Sequence, residues 1–103
     1  HYPEIEALKD SRAPVLLWGQ GAHLRRLMGK GVFQGLPIKG IIDRDKGGHG
    51  ERLAGYPVLA PEDICKSPFQ DASVIITSVL YAQQIRESLT AQSFAGRIIR
   101  ISE

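Results

Sequence analysis

The sequence has one cysteine and one methionine in 103 residues, no long apolar run and no marked excess of charge of either sign. Each shortage closes a class of function. A lone thiol, Cys65, can neither staple a fold nor hold a metal by itself, so it reads as core filler in a reducing compartment. The longest apolar stretch, residues 74–82, contains Thr77 and Ser78 and falls far short of the roughly 18 residues that a membrane-spanning helix needs. No basic, apolar leader opens the chain, and the expected compartment is the cytoplasm. Thirteen Lys+Arg against 11 Asp+Glu leave a formal charge of +2, and the basic residues are scattered, so no nucleic-acid partner is expected. The only methionine is Met28 and the chain opens His1-Tyr2-Pro3, which points to a domain excised from a longer chain. Internal repeats and low-complexity tracts are also missing.

What is present suffices for one core. With 43% hydrophobic residues, the chain is expected to form a single domain over residues 1–103, residues 1–12 being a linker or an N-terminal helix. Val15-Leu16-Leu17-Trp18 is a continuous apolar run closed by Gly19, as in a strand buried on both faces. The following helix places Leu24, Leu27 and Met28 on one face, with Gly29 and Gly31 to stop it. Residues 38–43 (IKGIID) form a second strand, and residues 43–50 (DRDKGGHG) a turn-rich loop. Residues 55–59 give a short third strand in which Pro57 suits an edge, and Pro61 opens a short helix with Glu62 and Asp63 in its first turn. Residues 73–79 (SVIITSV) are the fourth strand. A helix over about residues 80–94 then turns Ala82, Ile85 and Leu89 toward the sheet, and Gly96 ends it before a fifth strand at residues 97–101. Apolar strands alternating with helices predict a small Rossmann-like α/β fold, a doubly wound parallel sheet of about five strands in the order 3-2-1-4-5.

Such sheets take ligands beyond the carboxyl ends of their strands, at the switch point between strands one and four. The residues expected there are Gly19, Gln20, Gly21, Ala22 and His23 after the first strand, Asp43, Arg44 and Asp45 after the second, and Thr77 and Ser78 after the fourth. A glycine turn between a strand and a helix lets backbone N–H groups and the helix dipole meet a phosphate. Gly19 supplies the tight turn and Gly21 the close approach, but the third glycine position holds Leu24, whose side chain keeps helix and strand apart. Asp43 is placed to bond a ribose hydroxyl pair. His23, in the first helical turn, can bond a phosphate or a sugar hydroxyl, or can pack against the loop after strand two. Thr77 and Ser78 can cap the next helix or touch a ligand across the crevice, capping being the ordinary use. The glycine turn also has a purely structural reading, as the tight connection any doubly wound sheet needs. Asp43, Arg44, Asp45 and His49 show no recognised metal-ligand spacing. Tyr81 has no lysine four residues on, and no nucleophile-and-base set is evident, so catalysis by these residues alone is not expected.

The succession WGQGAHLRRL (18–27), IKGIIDRD (38–45), HGERLAGYPVLAPEDI (49–64) and VIITSVLYAQQIRESL (74–89) resembles a Rossmann-like nucleotide- or nucleotide-sugar-binding module of bacterial sugar-modifying proteins. Such modules accompany methyltransferases, sugar-amine acetyltransferases and polysaccharide-biosynthesis epimerases. The resemblance implies that Gly19, Gly21 and His23 face a phosphate, that Asp43 and Asp45 form the acidic end of strand two, and that Gly55, Pro57 and Val58 are structural. It implies a binding module for NAD(H) or a nucleotide-sugar within a larger enzyme, a methyltransferase-associated one before the others, with catalysis by other domains of the parent chain. Two alternatives stand beside it: a dimerisation or scaffold domain with a vestigial crevice, which Leu24 favours, and, below that, an NAD(P)-dependent oxidoreductase.

Overall fold

The computed structural model describes residues 3–10, 13–19, 22–43, 52–53, 55–65, 69, 71–77, 82–91, 94 and 96–101, with the backbone alone at residues 22, 23, 53, 65 and 82. In chain order the elements are α1 (Pro3–Lys9), β1 (Val15–Trp18), α2 (Ala22–Gly29), β2 (Ile38–Ile42), β3 (Arg52–Leu53), β4 (Tyr56–Leu59), a 3-10 helix (Pro61–Cys65), β5 (Ser73–Ile76), α3 (Ala82–Ala91) and β6 (Ile98–Arg100). The strands form one sheet in the order β3-β4-β2-β1-β5-β6. Its parallel part, β4-β2-β1-β5-β6, is the expected 3-2-1-4-5 arrangement of a Rossmann-like doubly wound sheet.

Alternation along β1 sorts the core into two layers. Val15 and Leu17 pack with Ile5 and Leu8 of α1, Leu24 and Leu27 of α2, Phe33, Ile41, Ile75 and Ile99. Leu16 and Trp18 point the other way, toward Ile64 of the 3-10 helix, Ile85 and Leu89 of α3, Ile42, Val74 and Ile76. From β1 the chain runs to β2 on one side and later to β5 and β6 on the other. Right-handed crossovers in those opposite directions must lie on opposite faces, which is why α2 and α3 cover different layers.

Several expectations are corrected. The residue 55–59 segment is not the sheet's last strand, because β3 turns back antiparallel and pairs Arg52 with Pro57 and Leu53 with Tyr56. Pro57 is tolerated because the ladder to β2 begins only at Val58, so the missing N–H costs no parallel bond. The short helix is a 3-10 turn, in which the Asp63 carboxylate accepts from the Ala60 N–H at 3.0 Å. Of the two readings of the amino-terminal segment, the structure has the helix, which buries Ile5 and Leu8 in the first layer, each 1% exposed.

Helix α2 ends in two bonds, Val32 N–H to Leu27 C=O at 3.3 Å and Gly31 N–H to Met28 C=O at 3.1 Å. This is a Schellman closure, and Gly31 is its left-handed residue at φ +74°, so Gly31 and not Gly29 terminates the helix. Helix α3 is shorter than expected, ending at Ala91, and Phe94 N–H donates to Leu89 C=O at 3.1 Å across its end. Gly96 therefore does not end that helix. A Cβ there would meet the Ala72 carbonyl oxygen and the Phe94 ring, so its lack of a side chain answers a need for space.

Candidate functional site

The carboxyl edge of the sheet is built by one recurring bond. The first residue after β2, β1, β5 and β6 donates its N–H to the last carbonyl of a neighbouring strand: Asp43 to Leu59 at 3.0 Å, Gly19 to Ile42 at 3.4 Å, Thr77 to Trp18 at 2.9 Å and Ile101 to Ile76 at 3.0 Å. These bonds extend the ladder one residue past the strands and bring Asp43, Gly19 and Thr77 into a row on adjacent strands. With strands about 4.8 Å apart, Gly19 has the acid on one side and the hydroxyl residue on the other. Three of the expected residues, separated by up to 58 positions in the sequence, are thus immediate neighbours.

The reason lies in the topology. Helices α2 and α3 pack on opposite faces of the sheet, so Gly19 and Thr77 stand at the strand ends from which the chain departs toward different layers. Gly19 is buried and holds φ +145°, a backbone conformation that residues with a Cβ rarely adopt. That places a glycine requirement at the first residue beyond β1, and α2 begins at Ala22. Asp43 is 6% exposed and Thr77 1%. A buried carboxylate needs hydrogen-bonding company, and the Asp43 side of the row is engaged in further interactions.

The Thr77 hydroxyl has a partner that the strand-end reading did not name: it donates to the Trp18 carbonyl at 3.2 Å, alongside the N–H bond to the same oxygen. The sequence could not show this, because the partner is a backbone oxygen and carries no side-chain signature. Leu24 is fully buried in the first layer, filling the position between α2 and β1 where a third glycine would bring helix and strand together.

Gln20, Gly21, Arg44, Asp45 and Ser78 lie outside the described residues, as do His49 and Tyr81. Ala22 and His23 open the α2 backbone, and their side chains likewise lie outside the description. Among the described residues no three His, Cys, Asp or Glu side chains gather as metal ligands, and no helix is long and apolar enough to cross a membrane.

Residues 11–99 match the protein family described as C2185-like, N-terminal. No curated protein matches the sequence at a significant level. Among solved structures, the crystal structure of RSP, a Rex-family repressor, superposes with a TM-score of 0.56 at 15% identity, over 86% of this chain and 52% of that one. This chain therefore spans about half the length of that protein, and the likeness is one of fold.

Proposed function

The chain belongs to the C2185-like N-terminal family, and from the row at its strand ends we propose that it is a nucleotide-binding module. The observation that carries this reading is the adjacency of Gly19, at φ +145°, to the buried Asp43 through the Gly19 N–H to Ile42 C=O bond. In this reading the turn after Gly19 offers backbone N–H groups to a phosphate at the positive end of α2, while Asp43 accepts from ribose hydroxyls. Gln20, Gly21, Ala22 and His23 belong to the phosphate side of the site, Arg44 and Asp45 to its sugar side, and Ser78 to the wall across the crevice, with the buried Thr77 supporting Gly19 from the neighbouring strand. The ligand is a nucleotide-sugar or a dinucleotide such as NAD(H), and catalysis falls to other domains of a parent chain. A sugar-modifying, methyltransferase-associated parent rests on the sequence resemblance alone.

Calorimetric titration with NADH and with uridine-diphosphate glucose tests the proposal. Binding of either, with a rise in Tm of about 5 °C or more at saturation and a loss of affinity of about tenfold in Asp43→Ala, supports it. Absence of heat and of stabilisation with both overturns it.

A second reading, a dimerisation or scaffold domain with an empty crevice, is favoured by the complete burial of Leu24 at the third glycine position. Sedimentation that shows a dimer whose interface protects Gly19 and Asp43, with no nucleotide binding, selects that reading.

A further inference from the structure

Trp18 C=O and Gly19 N–H belong to one peptide unit, and the sheet holds that unit from both sides. On the β5 side its oxygen accepts two bonds, the Thr77 N–H at 2.9 Å, within the usual range, and the Thr77 hydroxyl at 3.2 Å, a little beyond the 2.5–3.0 Å of a good O–H to O bond. On the β2 side its N–H reaches the Ile42 oxygen at 3.4 Å, beyond the usual range of 2.7–3.2 Å for a good N–H to O bond. The hold is therefore lopsided, and the firmer grip comes from Thr77. Gly19 follows this plane directly, and its φ of +145° is the rotation that sends the chain from β1 into the turn before α2. Whatever sets the tilt of the plane sets the direction in which the turn departs. A glycine has no side chain with which to limit that tilt itself.

We propose that Thr77 is a positioning residue, its hydroxyl fixing the Trp18–Gly19 peptide plane from which the glycine turn leaves the sheet. The backbone N–H of Thr77 would pair with Trp18 whatever residue stood there, as Ile101 pairs with Ile76 at the next strand. The second bond is what threonine adds. Thr77 is 1% exposed, so it acts on a ligand through Gly19 and not by touching it. The consequence for binding rests on the nucleotide-binding reading above; the consequence for the peptide plane does not.

The experiment compares Thr77→Val, which removes the hydroxyl at nearly constant shape, with Thr77→Ser, which keeps it, and with Ile99→Val as a mild core change on the neighbouring strand β6. Amide hydrogen exchange at Gly19 and the carbonyl carbon shift of Trp18 report the plane without any ligand. Expected in Thr77→Val are Gly19 exchange faster by roughly five- to tenfold and an upfield Trp18 carbonyl shift, both near the wild-type values in Thr77→Ser and in Ile99→Val. Unchanged Gly19 exchange and Trp18 shift in a folded Thr77→Val chain overturn the proposal, as does a Thr77→Ser chain that moves both as far as valine does. Should Thr77→Val not fold, Thr77→Ser decides: a wild-type carbonyl shift upholds the hydroxyl's role and a displaced one refutes it. With NADH or uridine-diphosphate glucose as probe, affinity is expected to fall at least threefold in Thr77→Val and to recover in Thr77→Ser, with Ile99→Val unaffected. Equal affinity in all three refutes positioning of the turn. If the wild-type chain binds neither probe, the nucleotide-binding reading fails while the exchange measurement still decides the role of Thr77.

Discussion

The half of the molecule built from β1, α2 and β2 and the half built from β5, α3 and β6 solve the same problem with different residues. Each helix leans on the sheet through a pair of aliphatic side chains one turn apart, Leu24 with Leu27 in α2 and Ile85 with Leu89 in α3, all buried. Each is closed by an N–H that reaches five residues back, Val32 to Leu27 and Phe94 to Leu89, and the two residues of each pair lie in the same core layer. Beyond the strands the halves part company. The first relies on glycines at positive φ, Gly19 and Gly31, whereas the second uses a hydroxyl at Thr77 and a glycine, Gly96, chosen for room. A shared architecture thus leaves open which atoms enforce each turn.

The strongest way to break the parallel is to truncate its matching anchors. Leu27→Ala and Leu89→Ala are each expected to cost about 3 kcal/mol in urea denaturation, because both side chains are fully buried and both join a helix end to its layer. A difference between them above about 2 kcal/mol would show that one helix merely decorates the sheet. Next in size is Gly96→Ala, expected to cost about 2–3 kcal/mol by thermal melting, since the added carbon meets a backbone oxygen that has no rotamer to move into. Gly31→Ala sharpens the contrast at the smallest scale. Its Cβ would meet only the flexible end of Gln34 at 3.4 Å, so the loss is the left-handed backbone penalty alone, about 1 kcal/mol. A Gly31→Asn chain melting nearer to wild type than Gly31→Ala would confirm that conformation, not space, is at stake there.

Much of the fold was legible because apolar periodicity is a direct record of burial. VLLW at residues 15–18 and SVII at residues 73–76 are buried at every position, and the buried and exposed faces of α3 follow the expected spacing at Ile85, Leu89, Gln83, Gln84, Arg86 and Glu87. Strand order followed from handedness, which needs no side-chain detail. Element ends were less legible. Helix α3 stops at Ala91 because its closure is a backbone bond from Phe94, and Gly96 had drawn the boundary too late. Strand β3 escaped notice because two residues, Arg52 and Leu53, are too few to show an alternation. Of the site, the row of Gly19, Asp43 and Thr77 was foreseen from the strand ends. The work of Thr77 was not, because a bond to the Trp18 carbonyl depends on a neighbour 59 residues away.

That same distance governs how the chain must come together. β1 sits at the centre of the sheet, yet one of its two neighbours, β5, lies far downstream, with Val15 facing Ser73. The β-α-β unit of β1, α2 and β2 can form early from local contacts, but it leaves the other edge of β1 bare until most of the chain has been made. Closing that long loop is entropically costly and parallel pairing is slow, so assembly is limited by the arrival of β5. Until then one edge of an apolar strand stands open to strangers, and self-association during synthesis or refolding is most dangerous in that interval. The central strand that organises the finished sheet is, for the growing chain, its longest exposure.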